Sequence, residues 1–388
     1  MTPSTNRATW LAVSAMFVLN GALYGMWASR IPAVAQRHAL DEGDLGLLLL
    51  LLAGGAIAAF PLAGRFADKS GAAPVTIRIA VAYALALCLI GFAPNTPLLA
   101  LTLFLFGATH GAMDVAMNTW AGEAERHIDR PVMSSFHAMF SLGAGLGAAS
   151  GYGAEQLEVS IAAHFTIGAV ALCAGTLAFA RIPWTSQKQS GTDKTPLFPF
   201  PRGPLVAVGL IAFCSSMGEG AMVDWSALFL VDIAQVSAAN AALGYTVFSI
   251  AMVVTRLLGD QVTNAFGPVV TARVAGVFAT VGTLCAVGFG TYTAALIGFA
   301  LMGIGYAVIM PLAFSRAAND PHLPPGTAIA SVATLGYGGL LLGPPLIGFV
   351  AHAATLRTGF AVLSVLAALI IVLAYAVRRP AAHAAQHS

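Results

Sequence analysis

The sequence predicts an all-α integral membrane protein with twelve transmembrane helices in two pseudo-symmetric six-helix bundles. Three observations carry this reading. Charged residues make up 9% of the chain and hydrophobic ones 58%, with a mean hydropathy of +0.82, whereas a soluble domain carries about 25% charged residues. About a dozen apolar stretches run for ~18–25 residues, enough to cross a ~30 Å hydrocarbon core as helices. A shift of 196 positions lays Gly71 on Gly267, Gly107 on Gly303, Gly143 on Gly339 and Gly147 on Gly343, so the chain repeats itself. Two repeated halves around a midplane site are the build of a solute carrier, which makes transport the first functional expectation.

The predicted spans are 8–34, 43–64, 74–94, 97–122, 132–154, 159–181, 204–230, 239–258, 269–289, 292–316, 326–351 and 357–377. The first could pass for a secretory signal, with Arg7 ahead of it and Ala33-Val34-Ala35 as a cleavage site. Its apolar run is too long for that and carries Asn20, Tyr24 and Arg30, so it reads as a retained helix. The spans divide into a first half over 1–181, a linker over 182–203 and a second half over 204–388 that ends in a short tail. The linker is polar, proline-rich and without helical periodicity, as a flexible connection should be. Cys88, Cys173, Cys214 and Cys285 lie inside apolar stretches and read as small hydrophobes, and His383 and His387 of the tail are too few for a metal site. With both termini cytoplasmic, only Arg30, Arg37 and Arg357 of the eighteen Lys and Arg fall on the far side, which is the positive-inside orientation in a bacterial inner membrane. Basic residues scattered between spans give no nucleic-acid footprint.

Between the second and third spans stands GRFADKSG, residues 64–71, followed by Arg78. Gly-x-x-x-Asp-x-x-Gly with basic neighbours at this place resembles the signature loop of the major facilitator superfamily, and the resemblance covers essentially the whole chain. It implies that Asp68 caps a helix of the opposite half, with Gly64, Arg65 and Lys69 around it, and latches the cytoplasmic side. A carboxylate suits a helix N-terminus, where N–H groups are free and the macrodipole is positive. The second copy is degraded: Arg256, Gly259, Asp260 and Gly267 remain, while Asn264 stands at the position of Asp68. That pattern implies one strong latch and one weak one. GAMDVAMNTW (111–120), MSSFHAMFSLGAGLGA (133–148), WASRIP (27–32) and EGAMVDWSALFL (219–230) further resemble bacterial permeases near the fucose–proton symporters.

A charge at mid-membrane costs about 2.5–3.5 kcal/mol on insertion scales, so intramembrane polar residues point to a site. His110, Asp114 and Asn118 share one face of the fourth span, Asn20, Tyr24 and Trp27 one face of the first, and Ser215, Ser216 and Glu219 one face of the seventh. The family resemblance implies that the first, fourth, seventh and tenth helices line the cavity, which adds Tyr306. Asp114 and Glu219 are the proton-coupling candidates, or else fixed partners that hold helices together. The substrate-binding candidates are Asn20, Tyr24, Trp27, His110, Asn118, Ser216 and Tyr306, a mix of ring faces, amides and hydroxyls that suits a sugar-like solute. Trp27 could equally be an interfacial anchor. Arg30 is expected in a periplasmic gate with Asp224 or Asp232. His137 and Ser141 are expected to support the site from the fifth span. Glu123, Arg126 and Arg130 read as gate or loop charges. Gly143-x-x-x-Gly147 and Gly339-x-x-x-Gly343 are helix-packing motifs. Ala148 stands where the family's antiporters carry proline, which leans against drug antiport.

The expected function is secondary active transport of a small polar solute, a sugar or related metabolite, by alternating access and proton symport. Its partners are the solute, protons and the lipid bilayer; no cofactor or metal is expected, and the chain is expected to be a monomer. Proton-coupled efflux is the alternative within transport, and a transport-dead sensor or scaffold the alternative from another class. A membrane enzyme is disfavoured, because no nucleophile constellation, metal cluster or phosphate-binding loop is visible in the sequence.

Overall fold

A computed structural model describes residues 3–40, 42–188, 200–236 and 243–378. The middle of the linker, the start of the eighth predicted span and the tail with His383 and His387 lie outside the described residues. The chain forms α1 (Pro3–Arg37), α2 (Glu42–Ser70), α3 (Ala72–Phe92), α4 (Thr96–Ile128), α5 (Met133–Gln156), α6 (Ile161–Ala180) and α7 (Pro204–Asp232). It continues with α8 (Leu243–Phe289), α9 (Tyr292–Ala307), α10 (Ile309–Ala318), α11 (Pro325–Ala353) and α12 (Leu356–Leu373), closing on a 3-10 turn, Ala374–Val377. Ten helical segments among the described residues are long and apolar enough to cross a membrane. Twelve crossings follow because α8, 47 residues long, bends at Gly267 and crosses twice, and because the Gly- and Ser-rich α5 crosses beside them. Helices α9 and α10 together make the tenth. An even number of crossings puts both chain ends on one face of the bundle, here the terminal face.

The internal repeat is physical. Gly71 and Gly267 both take positive φ, 93° and 77°, at the turns after the second and eighth crossings, a conformation glycine reaches without a Cβ penalty. A Cβ on Gly107 would stand 1.9 Å from the Leu52 carbonyl oxygen, and one on Gly303 2.4 Å from that of Phe248. Leu52 and Phe248 are themselves repeat mates. Likewise a Cβ on Gly143 would meet the Val18 carbonyl at 2.3 Å, and one on Gly339 the Phe213 carbonyl at 2.2 Å. Small residues let α2 close on α4 and α1 on α5, and the same device closes their counterparts in the second half.

Each half has its own core. Phe17, Trp27, Tyr83, Phe106 and Trp120 pack in the first, and Phe229, Phe248, Phe299, Tyr306 and Phe360 in the second. A third cluster joins them, with Phe60 and Val115 of the first half against Val208, Phe314 and Ile329 of the second. Apolar side chains such as Leu85, Phe92, Val170, Phe179 and Val372 face outward, which is the surface lipid would cover.

Gly107→Leu is expected to lower the thermal unfolding temperature in detergent sharply or abolish folding, since overpacking costs about 1–3 kcal/mol even when side chains can yield and here a carbonyl cannot. Gly54→Ala, with nothing within 4 Å of the added carbon, is expected to leave that temperature unchanged or raise it.

Candidate functional site

Packing between the halves is carried by α2 with α11, α5 with α8, and α4 with α10 and α11. Away from the terminal face the halves diverge, leaving Asp224 of α7 and Tyr245 of α8 exposed and Tyr24 of α1 half-buried on the facing wall. Polar side chains converge at the floor of this cleft. Tyr24 stacks on His110, ring centroids 4.9 Å apart. His110 Nδ1 is shared by Asn20 Oδ1 and the Tyr83 hydroxyl, each at 3.1 Å. One helical turn on, Asn118 Nδ2 donates to Asp114 Oδ1 at 3.1 Å and to the Asp114 carbonyl at 2.8 Å. The Tyr337 hydroxyl of α11 reaches the same carboxylate from the other half.

The second half answers with an ion pair. Arg256 Nη2 lies 3.2 Å from Glu219 Oε2. The same guanidinium donates from Nε to the Ala307 carbonyl at 3.2 Å and from Nη1 to Ser141 Oγ of α5 at 2.8 Å. Ser141 in turn donates to the His137 carbonyl at 3.2 Å, and His137 Nε2 lies 3.1 Å from Asn118 Oδ1. A polar chain thus runs from Asp114 through Asn118, His137, Ser141 and Arg256 to Glu219, crossing between the halves at Ser141–Arg256. The guanidinium is 9% and the carboxylate 23% exposed, so removing the carboxylate leaves a largely buried cation without its counter-charge.

Among the sequence candidates, Tyr24, His110, Asp114, Asn118 and Glu219 come together here. Others are placed differently. Arg256, grouped by the sequence with the second copy of the signature loop, lies in α8 eleven residues before the bend at Gly267 and turns into the bundle. Trp27 is 1% exposed and packs on Phe106, 6.2 Å between centroids, inside the first half. Its ring belongs to the core of the first half in this arrangement. Asn20 and Tyr306 are fully buried, and Asn20 reaches the site only through His110. Ser216 is buried with its hydroxyl 3.6 Å from Met310 Sδ. Arg30 turns into its own half, donating to the Val159 carbonyl at 3.0 Å, while Asp224 stays exposed. Tyr83, Tyr245 and Tyr337 were missed. Tyr337 was findable, because the repeat lays it on Ser141.

The terminal face is sealed by helix ends. Asp68 accepts from the backbone N–H of Gly326 at 2.9 Å and of Thr327 at 3.0 Å, and from the Thr327 hydroxyl at 2.8 Å. Its partners are these groups of α11 rather than Arg65 or Lys69. Gly64 sits where a Cβ would press on the Gly326 carbonyl at 2.7 Å. Asp260 performs the matching act in the other direction, accepting from the N–H of Ser134 at 2.8 Å and of Ser135 at 2.7 Å. The second copy of the loop therefore holds a helix end as fully as the first, through Asp260 one turn before Asn264. Glu125 takes the two preceding N–H groups, of Val132 and Met133, at 3.1 Å each, and accepts from Ser315 of α10. Arg126 Nη1 donates to the Ala318 carbonyl at 2.9 Å. Glu123 faces elsewhere, binding Trp184 Nε1 at 2.9 Å and the Gln187 N–H at 3.1 Å at the start of the linker.

A carboxylate at a helix N-terminus contributes up to about 2 kcal/mol in partly buried geometry. Asp68→Asn and Asp260→Asn are each expected to raise the alkylation rate of a cysteine placed at Ala318, 3% exposed between the halves, by about tenfold. In the double variant the factors are expected to multiply, because the two sites share no partner. A cysteine-free background in lipid nanodiscs and a membrane-impermeant maleimide would read this out.

A sequence profile of the Major Facilitator Superfamily matches residues 9–324. An uncharacterized transporter of Sinorhizobium fredii is 46% identical over 365 residues, 94% of this chain and 97% of the relative. An uncharacterized MFS-type transporter of Yersinia pestis is 34% identical over 363 residues, 94% of each chain. The membrane protein MosC of Rhizobium meliloti is 32% identical over 371 residues, 94% of this chain and 89% of MosC. In fold, the chain is similar to the human organic anion transporter MFSD10, with a TM-score of 0.81 at 15% identity, covering 96% of this chain and 100% of that one. It is also similar to the fucose:proton symporter FucP of E. coli, with a TM-score of 0.77 at 17% identity over 96% of this chain and 98% of that one. The loop around Asp68, the repeated six-helix halves and these matches agree, and the chain belongs to the Major Facilitator Superfamily.

Proposed function

We propose that this transporter moves a small polar solute, a sugar or related metabolite, across the bacterial inner membrane by proton symport, with its terminal face in the cytoplasm. The observation that carries the reading is the pair of carboxylates, Asp114 and Glu219, one in each half, meeting the floor of a cleft sealed on the terminal face. A carboxyl that takes up a proton crosses the membrane as a neutral group, and rocking of the halves about the cleft exposes it to one side at a time. Asp114, beside Asn118 and Tyr337, and Glu219, beside Arg256, are the proton carriers. Tyr24 and His110 offer a ring face and Asn118 an amide, the groups that hold a hydroxylated ring. Each proton entering down 100 mV supplies about 2.3 kcal/mol, roughly fifty-fold accumulation of solute. The likeness to a fucose:proton symporter is compatible with this choice, as is the orientation that keeps most Lys and Arg inside.

The test is internal acidification of proteoliposomes loaded with a pH-sensitive dye, against a panel of sugars and small metabolites. Solute-dependent acidification is expected for the wild type, with a loss of at least about tenfold in Asp114→Asn and in Glu219→Gln. Solute flux without proton movement would overturn symport.

A further inference from the structure

Pro311 carries no N–H, and the group it would have bonded is the carbonyl of Ala307, four residues back. The tenth crossing breaks there, between α9 and α10 at Val308. A carbonyl freed inside a membrane bundle must find another donor, and the donor is Arg256 Nε at 3.2 Å. The same side chain is bound to Glu219 and, across the halves, to Ser141. One guanidinium thus joins the ionised carboxylate, the break in the tenth crossing and the opposite half.

The repeat shows what is special about this arrangement. Phe60 is the repeat mate of Arg256, and Tyr337 that of Ser141. Phe60 and Tyr337 also touch across the halves, with centroids 4.8 Å apart and planes at 67°. One cross-half contact is therefore a ring pair, whose Tyr337 hydroxyl also reaches Asp114, and its mate is built on an ion pair. The charged and titratable groups around Glu219 are Arg256 and Tyr245 of α8, Asp224 of α7 and Tyr306 of α9, with His137 of α5 beyond Arg256. Arg256 is the cation among them.

We propose that Arg256 is the positioning residue that couples the charge on Glu219 to closure of the terminal face, through its bonds to Ser141 and to the Ala307 carbonyl. This rests on Glu219 being a proton carrier. When Glu219 is neutral, the guanidinium is left buried without its counter-charge, and the arrangement that encloses it is disfavoured. Arg256 is then held by Ser141 and the Ala307 carbonyl alone, neither of which carries a charge. The Phe60–Tyr337 ring contact has no bond to Glu219 or Arg256 and is not part of this linkage.

The alkylation rate of a cysteine at Ala318, in the cysteine-free background in nanodiscs and without any solute, tests the linkage. Glu219→Gln and Ser141→Ala are each expected to raise the rate by about tenfold, and the double variant to exceed either by no more than about twofold, because both act through one bond. Phe60→Leu is expected to multiply with Glu219→Gln. Arg256→Lys, which keeps the charge without three directed donors, is expected to match Ser141→Ala, and an unchanged unfolding temperature in Ser141→Ala would set aside general loosening. A parent-like rate in Ser141→Ala while Glu219→Gln is fast, or a multiplicative Ser141–Glu219 double variant, would overturn the linkage alone. A parent-like rate in Glu219→Gln would overturn the role of Glu219 as carrier, and the linkage with it.

Discussion

Backbone groups at the ends of helices have no partner within the helix, and in a membrane no water supplies one. This constraint organises the contact between the halves. The four N–H groups from Val132 to Ser135 at the start of α5 are taken by two carboxylates, Glu125 of the same half and Asp260 of the other. The start of α11 is taken by Asp68, the end of α10 by Arg126, and the carbonyl orphaned by Pro311 by Arg256. In every case but Glu125 and Arg256 the donor and acceptor belong to opposite halves. Closing the terminal face and completing the helices are the same event.

That identity bears on how such a seal can open. Helix ends capped by carboxylates are exposed to water when the halves part, and water can then satisfy both partners. The net difference is a few kcal/mol rather than the full strength of the bonds. A seal made of interdigitated aromatic side chains would have no such substitute. The mid-bundle contacts follow another logic, since water reaches them last. There the contacts between the halves include the apolar cluster of Phe60, Val115, Phe314 and Ile329, the Phe60–Tyr337 pair and the charged chain ending in Glu219. Phe60–Tyr337 and Arg256–Ser141 occupy matching places in the repeat, yet only the second is built on an ion pair.

Much of this was legible in the chain. Apolar lengths and the glycine repeat foretold the two bundles, because glycines at helix crossings are fixed by backbone proximity that no other residue tolerates. The polar faces of the fourth and seventh crossings single out Asp114, Asn118 and Glu219, and each has a partner inside the bundle, since unpartnered polar groups are not left in lipid. The failures have physical causes too. Asn264 drew attention because it aligns with Asp68 at the glycine spacing, yet the capping pairs keep a spacing four residues shorter: Asp68 with Asp260, Gly326 with Ser134, Thr327 with Ser135. A displacement of one turn leaves a side chain on the same helix face, so both members of the pair moved together and the geometry survived. For Trp27, spacing along α1 gives a face but not which way that face turns; the structure packs it on Phe106. Arg256 aligns in sequence with the second loop, yet its place within α8 lets its side chain reach Glu219 rather than the loop.

The same reasoning explains why Arg256 is tolerated at all. A lone guanidinium at this depth would be among the least favourable residues in the chain. Three acceptors converge on it from three helices: Glu219 of α7, Ser141 of α5 and the Ala307 carbonyl at the end of α9. None of the three alone would hold it. The carboxylate supplies charge but is partly open to the cleft, with 23% of its side chain exposed. The carbonyl is available only because Pro311 breaks the tenth crossing, and the hydroxyl only while the halves are closed. An intact helix at residue 311 would have removed one acceptor, and a separated interface removes another. The charge at this position is therefore stable in one conformation of the bundle and exposed to change in any other.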